Sequence, residues 1–330
     1  MGKKEVEICF ETITPLWFGD AWQKNEKVRP SALIGNLRFW FSVYWKFIKR
    51  GQIENLDDNG IPIDSLLSKD YKTFPDILLK HIRDGNIGDD FNFDKEVDNV
   101  LNELELPVPS RIFGCTGWDS RVNIEILEYC TNKLNLKEIE FNFPNDVESK
   151  FWIEKILFQS MNNINGHDRL KIKLKTMSYW WDTYLKDFIS FFGNKIILIG
   201  GKLSFGFGFA KIKIEELQDV KEQDESIGRN SSINNFLLVD KIEGMNYHTG
   251  KKVLGYNFKY HLRKNEEKKF REKNFGSKGN ASKVYVSHLQ KEDNNSVYLI
   301  VLNNLYDSLS IPDWIVDKYK KQLNEYKKEV

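Results

Sequence analysis

Phe113-Gly-Cys-Thr-Gly-Trp-Asp-Ser-Arg-Val-Asn-Ile124 and Phe275-Gly-Ser-Lys-Gly-Asn-Ala-Ser-Lys-Val-Tyr-Val286 share Phe, Gly, Gly, Ser and Val in register. Arg121 also faces Lys283, and Ile124 faces Val286. Each copy reads as a glycine-loosened loop, a small hydroxyl, a cation and the start of an alternating strand. Two homologous modules in tandem are the simplest source of such a repeat.

Outward from the first copy, Glu5–Ile13 alternates as a half-buried strand that Thr14-Pro15 ends. After Arg29-Pro30, Ser31 is expected to cap a helix whose apolar positions Leu33, Ile34, Leu37, Trp40, Phe41, Tyr44, Trp45 and Ile48 recur at three and four. Arg38, Ser42, Lys46 and Lys49 share the opposite stripe, which makes that helix greasy on one face and cationic on the other. Strands are expected at 120–128 and 169–176, a helix at 179–192 and a closing strand within 202–214. The order βαββαβ is that of a ferredoxin-like unit. Outward from the second copy come a strand at 236–242, one helix over 253–270, strands at 282–289 and 296–302, and a helix at 312–326. This second βαββα run lacks a closing strand, so it is either truncated or completed by a segment from elsewhere. The fold expected is α+β: two tandem ferredoxin-like (RRM-like) domains at 1–218 and 236–330, joined by a polar linker at 219–235.

A chain of 330 residues with 41% hydrophobic and 14% aromatic content supports two real cores. No segment approaches the roughly 20 apolar residues of a membrane helix, and Met1-Gly-Lys-Lys-Glu leads into a strand rather than a signal sequence. A cytoplasmic protein is the expectation. Cys9, Cys115 and Cys130 show no C-x-x-C spacing, so no disulfide framework or zinc site is expected. The net charge of +1 conceals segregation. Residues 20–50 carry seven Lys or Arg against two acids, and 251–283 carry eleven against three. Each basic tract leads into a copy of the repeat. Between them, residues 51–109 carry fourteen acids against five bases and read as an acidic insertion in the first domain.

Gly200-Gly-Lys-Leu-Ser-Phe-Gly-Phe-Gly-Phe209 interleaves Gly200, Gly201, Gly206 and Gly208 with Lys202, Ser204 and aromatics. Glycines permit close backbone approach, and successive N–H groups make anion nests. A Walker A loop would need Gly at Ile196 and Ser or Thr at Leu203, and the dinucleotide pattern lacks its glycine at Lys211. Contact with a polynucleotide backbone is preferred over a mononucleotide site, and tight bending or packing is the competing structural role. No small-molecule substrate, cofactor or metal is expected.

Arg29-Pro-Ser-Ala-Leu-Ile-Gly-Asn-Leu-Arg-Phe-Trp40, the Phe113 repeat and the Gly200 loop resemble the RAMP superfamily of CRISPR proteins. Thr14-Pro-Leu-Trp-Phe-Gly19 followed by Arg-Pro-Ser-x-x-x-Gly-x-x-Arg-Phe-Trp looks most like the first RAMP subunit of the Cmr, or type III-B, effector complex. The second half matches more loosely, through Gly255-Tyr-Asn-Phe-Lys-Tyr-His-Leu-Arg263 and the Phe275 repeat. The resemblance implies tandem ferredoxin-like domains in a non-catalytic subunit. It also implies guide and target RNA and other Cmr subunits as partners, with contact at the 3′ part of the guide. It assigns Arg29, Ser31, Arg38, Lys202 and Ser204 to the RNA-facing side. Lys46 joins them from the cationic stripe. Trp40 matches the family aromatic, either as a base platform or, by its helix phase, as core. Arg111, Arg121, Lys278 and Lys283 are placed by the repeat.

Some RAMP relatives cut RNA with a histidine and no metal, so a guide-processing endoribonuclease is one alternative. His81, His248, His261 and His288 lie where packing or solvent exposure explains them. His167-Asp168 lacks further ligands of defined spacing for a metal site. A protein-docking scaffold that uses the acidic insertion is the other alternative.

Overall fold

The computed structural model describes residues 2–19, 25–51, 68–84, 91–135, 139–140, 163–214, 236–244, 252–264, 266–276, 282–290, 295–303 and 313–326. The expected linker at 219–235, His248 and Lys278 lie outside them.

The architecture is mixed α/β with antiparallel main sheets. Strand β1 (Lys3–Thr12) enters helix α1 (Pro30–Phe47), followed by α2 (Ser68–Asp84), α3 (Phe93–Glu103) and α4 (Val108–Phe113). Strands β2 (Asn123–Asn135), β3 (Ile139–Glu140) and β4 (Asn163–Met177) come next. Helix α5 comprises Ser178–Trp180, one π-type turn at Trp181–Leu185, and Lys186–Phe192. A hairpin of β5 (Ile196–Leu198) and β6 (Phe209–Ile214) completes a five-stranded sheet of order β2-β4-β1-β6-β5.

Alternation dictates what this sheet does with its two faces. Val6, Ile8 and Phe10 of β1, Leu170, Ile172 and Leu174 of β4, and Ile212 of β6 point into the core. Leu33, Leu37, Trp40, Phe41 and Tyr44 of α1 and Phe188 and Phe192 of α5 cover them. The opposite face is a lattice of cross-strand ion pairs. Lys171 meets Glu7 at 2.8 Å, Lys175 meets Glu125 at 2.7 Å, and Lys213 meets Glu11 at 3.0 Å. Lys173 likewise meets Glu5 at 3.5 Å, so four lysines of that face are engaged by carboxylates.

Strands β7 (Leu237–Ile242), β9 (Val284–Val286) and β10 (Val297–Leu302) form a second sheet of order β7-β10-β9. Between β7 and β9 lie β8 (Lys252–Val253), α6 (Gly255–Lys264) and α7 (Lys268–Asn274), and α8 (Asp313–Tyr326) follows β10. Val297, Leu299 and Val301 face a core built with Phe258, Leu262 and Tyr319. Ile300 and Leu302, on the other side of β10, join the first core with Phe236 and Leu237. One face of the second sheet thus packs on its own core, and part of the other joins the first core while Val239 stays exposed. Ile139 and Glu140 of β3 also pair in parallel with Lys252 and Val253 of β8, a second link between the halves.

Three local expectations are corrected or narrowed. The N-cap of α1 is Arg29 in extended conformation with Pro30 in the first turn, and no side chain caps the helix. Proline's fixed φ starts the helix there and places Ser31 inside it. The closing strand begins only at Phe209, because 203–205 form a 3-10 turn. The helix expected over 253–270 is two helices broken near Glu266. No apolar residue between Leu262 and Phe270 could hold a continuous helix on the core. Of the acidic stretch at 51–109, residues 52–67 and 85–90 lie outside the described residues, and Val97, Leu101, Leu106 and Val108 lie in the first core.

Candidate nucleic-acid interface

The two copies of the repeat fold into matching corners. In the first, a helix ends at Phe113, Gly114 takes φ +84°, Arg121 N–H returns to Ile112 O at 2.8 Å, and Ser120 Oγ donates to Val122 O at 2.8 Å. In the second, a helix ends at Asn274, Gly276 takes φ +87°, Lys283 N–H returns to Asn274 O at 2.8 Å, and Ser282 Oγ donates to Val284 O at 2.8 Å. Ser120 Oγ and Ser282 Oγ also accept from the N–H of Val122 and Val284. Phe113 and Phe275 are both buried.

On α1, Ser31, Gly35 and Arg38 share one stripe, being four and three residues apart. Arg29, Ser31 and Gly35 are exposed, and Arg38 is half-buried with its Nη2 donating to Ser110 Oγ of α4 at 3.0 Å. Glycine in a helix interior is destabilising by about 0.5–1 kcal/mol relative to alanine. A Cβ on Gly35 would meet nothing within 4 Å, so packing does not require the glycine. What the missing side chain leaves is bare helix backbone open to close approach. Further along, Ser42 is buried and donates to Arg38 O, while Lys49 pairs with Asp187 at 2.8 Å. The cationic stripe is thus interrupted, and half-buried Lys46 sits beyond the interruption, against the Phe47 ring.

The glycine-rich loop is pinned to α1 through Asn36. Gly200 N–H donates to Asn36 Oδ1 at 2.9 Å, Gly201 N–H to Trp17 O at 2.7 Å, Gly206 N–H to Leu203 O at 3.0 Å and Gly208 N–H to Pro15 O at 3.1 Å. The four glycine N–H groups are thus engaged internally and do not form an anion nest. The loop is a device for close packing. Gly206, at φ +95°, crosses Gly255 of α6 so tightly that a Cβ would lie 2.8 Å from Gly255 Cα. The loop turns Lys202, Ser204 and Phe205 toward partial exposure. Lys202 Nζ lies 5.7 Å from the Trp17 ring centre, and partial burial lowers its pKa.

Three of the residues placed by sequence have other engagements. Trp40 is 1% exposed and its Nε1 donates to Leu198 O at 2.8 Å, which leaves no ring face for a base. Arg111 is buried and its Nη1 pairs with Asp98 Oδ1 at 2.8 Å, an anchor between α4 and α3. Asp98 also accepts from the hydroxyls of Tyr179 and Tyr184. Arg121 is half-buried with its guanidinium 4.0 Å over the Trp118 ring, and desolvation lowers its pKa. Lys283 is half-buried at the second corner.

Sequence reasoning passed over two further groups. Lys259 of α6 is buried and its Nζ donates to Ser282 Oγ at 2.7 Å. Burial, helped by repulsion from Arg263, brings its pKa down to about 7. Phe205, Tyr256 and Tyr260 form a stacked series, legible only as exposed aromatics at helical spacing next to a glycine crossing. His167 is fully buried with Nδ1 3.1 Å from Thr131 Oγ1, and Asp168 accepts from Asn132. Adjacent strand residues point to opposite faces, so these two do not converge on a metal. Among the described residues no group of three or more metal-binding side chains occurs, and no helix is long and apolar enough to cross a membrane.

Several solved structures resemble the chain. Cmr1 from Pyrococcus furiosus in its apo form shares 14% identity over 99% of this chain and 97% of that one, with a TM-score of 0.45. The type III-B Cmr-beta complex bound to cognate target RNA and AMPPnP contains a chain with 11% identity over 98% and 99%, at 0.43. Oligomeric Cmr4 from Pyrococcus furiosus shares 12% over 64% and 97%, at 0.29. No curated protein sequence matches. The sequence model of the RAMP superfamily matches residues 9–211, a span that holds α1, the first corner and the whole glycine-rich loop. The chain belongs to the RAMP superfamily.

Proposed function

We propose that this chain is a non-catalytic RNA-binding subunit of a type III-B (Cmr) CRISPR ribonucleoprotein in antiviral defence, contacting the 3′ part of the guide and its target RNA. Membership of the RAMP superfamily and the sequence resemblance to the first Cmr RAMP subunit support the reading. The observation that carries it is the exposed Arg29–Ser31–Gly35 face of α1, where an otherwise unneeded glycine bares the backbone. The reading includes two tandem ferredoxin-like units. The first places its four long strands in the order expected of a βαββαβ unit, and the second keeps three of four.

Cations on phosphates dominate affinity in such a surface, and base pairing within the complex supplies the sequence choice. The open face of the first sheet is not the contact surface in this reading, because its lysines already face carboxylates. The described histidines fit a non-catalytic role: His167, His261 and His288 are buried and His81 lies between two glutamates.

Equilibrium binding of labelled RNA across a salt series tests the proposal. Affinity should fall steeply with salt, and Arg29→Ala and Lys202→Ala should each shallow the slope by about one. Gly35→Ala should hold or raise thermal stability while weakening RNA binding severalfold. A flat salt slope, or a Gly35→Ala protein with unchanged affinity, would overturn it. Cleavage of labelled RNA that one His→Ala change abolishes would favour the endoribonuclease instead.

A further inference from the structure

Most core aromatics of this protein meet edge-on or tilted, as Trp40 does with Phe192 at 64° and Phe41 with Phe188 at 74°, and the parallel pairs Phe41–Trp45 and Trp180–Tyr184 each lie within one helix. At the seam between the two units a parallel contact instead joins two distant segments. Phe205 of the glycine-rich loop lies nearly parallel to Tyr256 of α6, with centroids 5.1 Å apart at 16°. Tyr256 lies nearly parallel to Tyr260 one turn on, at 6.1 Å and 22°. All three rings are half-exposed.

The glycine crossing is what makes this column. Phe205 immediately precedes Gly206, and Tyr256 immediately follows Gly255. A Cβ on either Gly206 or Gly255 would fall 2.8 Å from the other's Cα, so the two backbones meet only because both residues are glycine. That contact lays one ring from each unit parallel to and offset from the other. Lys202 precedes the column by three residues, and Arg263 and Lys264 follow Tyr260 by three and four on the same side of α6. Parallel, half-exposed rings with cations at both ends are the chemistry that binds single-stranded nucleic acid without reading its sequence. The first sheet offers no alternative platform, because its open face holds paired charges.

We propose that Phe205, Tyr256 and Tyr260 form a base-stacking platform for single-stranded RNA that spans both units, with an unpaired base extending the column at the Phe205 end. This rests on the RNA-binding reading above and adds to it a base-contacting site built from both halves.

The test uses the full chain, a labelled oligouridine and an abasic oligomer of the same length. Fluorescence anisotropy should show the base-bearing strand preferred, Phe205→Leu should weaken it about five- to 100-fold, and Tyr256→Leu, which removes the ring behind Phe205, should weaken it less. The abasic strand should bind wild type and variants alike, with an unchanged salt slope. Phe205→Tyr should restore the wild-type affinity, which separates stacking from damage to the fold. If the Leu variants bind oligouridine as wild type does, or wild type binds both strands equally, the platform is refuted while salt-dependent RNA binding stands. That outcome would leave the column as a clasp or protein-docking surface. Failure of wild type to bind either strand at low salt would instead refute the RNA reading itself, and the platform with it.

Discussion

The corner at Phe113 and the corner at Phe275 share one backbone and two electrostatic settings. In both, a helix ends, a glycine at positive φ reverses the chain, and a serine hydroxyl bridges the start of the next strand. The first corner is held from behind by a buried ion pair, Arg111 with Asp98, and Arg38 reaches it from α1. The second is approached by Lys259 from α6, a single buried amine on a serine hydroxyl. What the repeat preserves is the turn, and what it leaves free to diverge is the charge that braces it. Asymmetric charge on a shared scaffold fits a chain whose halves meet different surfaces.

The sharpest way to break this comparison is to remove the brace that only the first corner has. Asp98→Ala leaves Arg111 buried without its partner and strips the acceptor from Tyr179 and Tyr184. Stability should fall by about 3–5 kcal/mol, measured by denaturant unfolding. Replacing Arg111 and Asp98 together by apolar residues of similar volume should recover most of that loss. If Asp98→Ala alone falls within about 0.5 kcal/mol of wild type, the first corner is not held ionically.

Next in size is a test of the shared feature. Gly114 sits at φ +84°, ψ 162°, a region essentially closed to other residues, and a Cβ there would lie 2.8 Å from Ser120 N. Gly114→Ala should cost about 1–3 kcal/mol, and Gly276→Ala at φ +87° a similar amount. A loss at Gly114 with none at Gly276 would show that the two turns are alike in shape only.

Much of this scaffold is legible in sequence, and the reason is periodicity. The 3.6-residue spacing of Leu33, Leu37, Trp40, Phe41 and Tyr44 and the strict alternation of 169–176 each encode a one-sided burial that the fold then realises. Interactions that depend on distant partners carry no such local signal. Arg111 looks like a free cation until α3 brings Asp98 against it. The glycines of 200–208 suggest an anion nest, yet their N–H groups close onto Asn36, Trp17, Leu203 and Pro15. Tyr256 and Tyr260 acquire a role only when Phe205, some fifty residues earlier in the chain, is laid on them.

The second corner has its own signature in pH. Lys259 falls to about 7 in the folded protein from an ordinary value of 10.5. Below about 7 both folded and unfolded states hold the proton. Between about 7 and 10.5 the unfolded chain binds more, so stability should rise with pH across that window. Lys259→Met should flatten the rise and add on the order of 1 kcal/mol below neutrality, where the buried charge is most costly. Unfolding midpoints across pH that rise equally in wild type and Lys259→Met would remove this contrast.

The smallest expected effect lies on the acidic side of the first unit and has the opposite sign. His81 of α2 is held between two α3 carboxylates, with Nδ1 3.2 Å from Glu96 and Nε2 2.6 Å from Glu103. The hydrogen bond to Glu96, reinforced by that to Glu103, raises its pKa above 6.5, with partial burial opposing. A group raised on folding contributes fully below its unfolded value and loses that contribution as pH climbs through the folded one. The clasp between α2 and α3 should therefore be tightest in mild acid and loosen toward alkaline pH, by less than about 1 kcal/mol for a pair this near the surface. Hydrogen exchange in α2, compared with β4 as an internal control and corrected for intrinsic rates, should show protection falling as pH rises in wild type and staying level in His81→Gln. Protection of α2 that rises with pH, or an equal pH trend in His81→Gln, would mean that the acidic stretch is held by its apolar contacts alone. The two units would then differ in how their corners are braced but not in how pH acts on them from opposite sides.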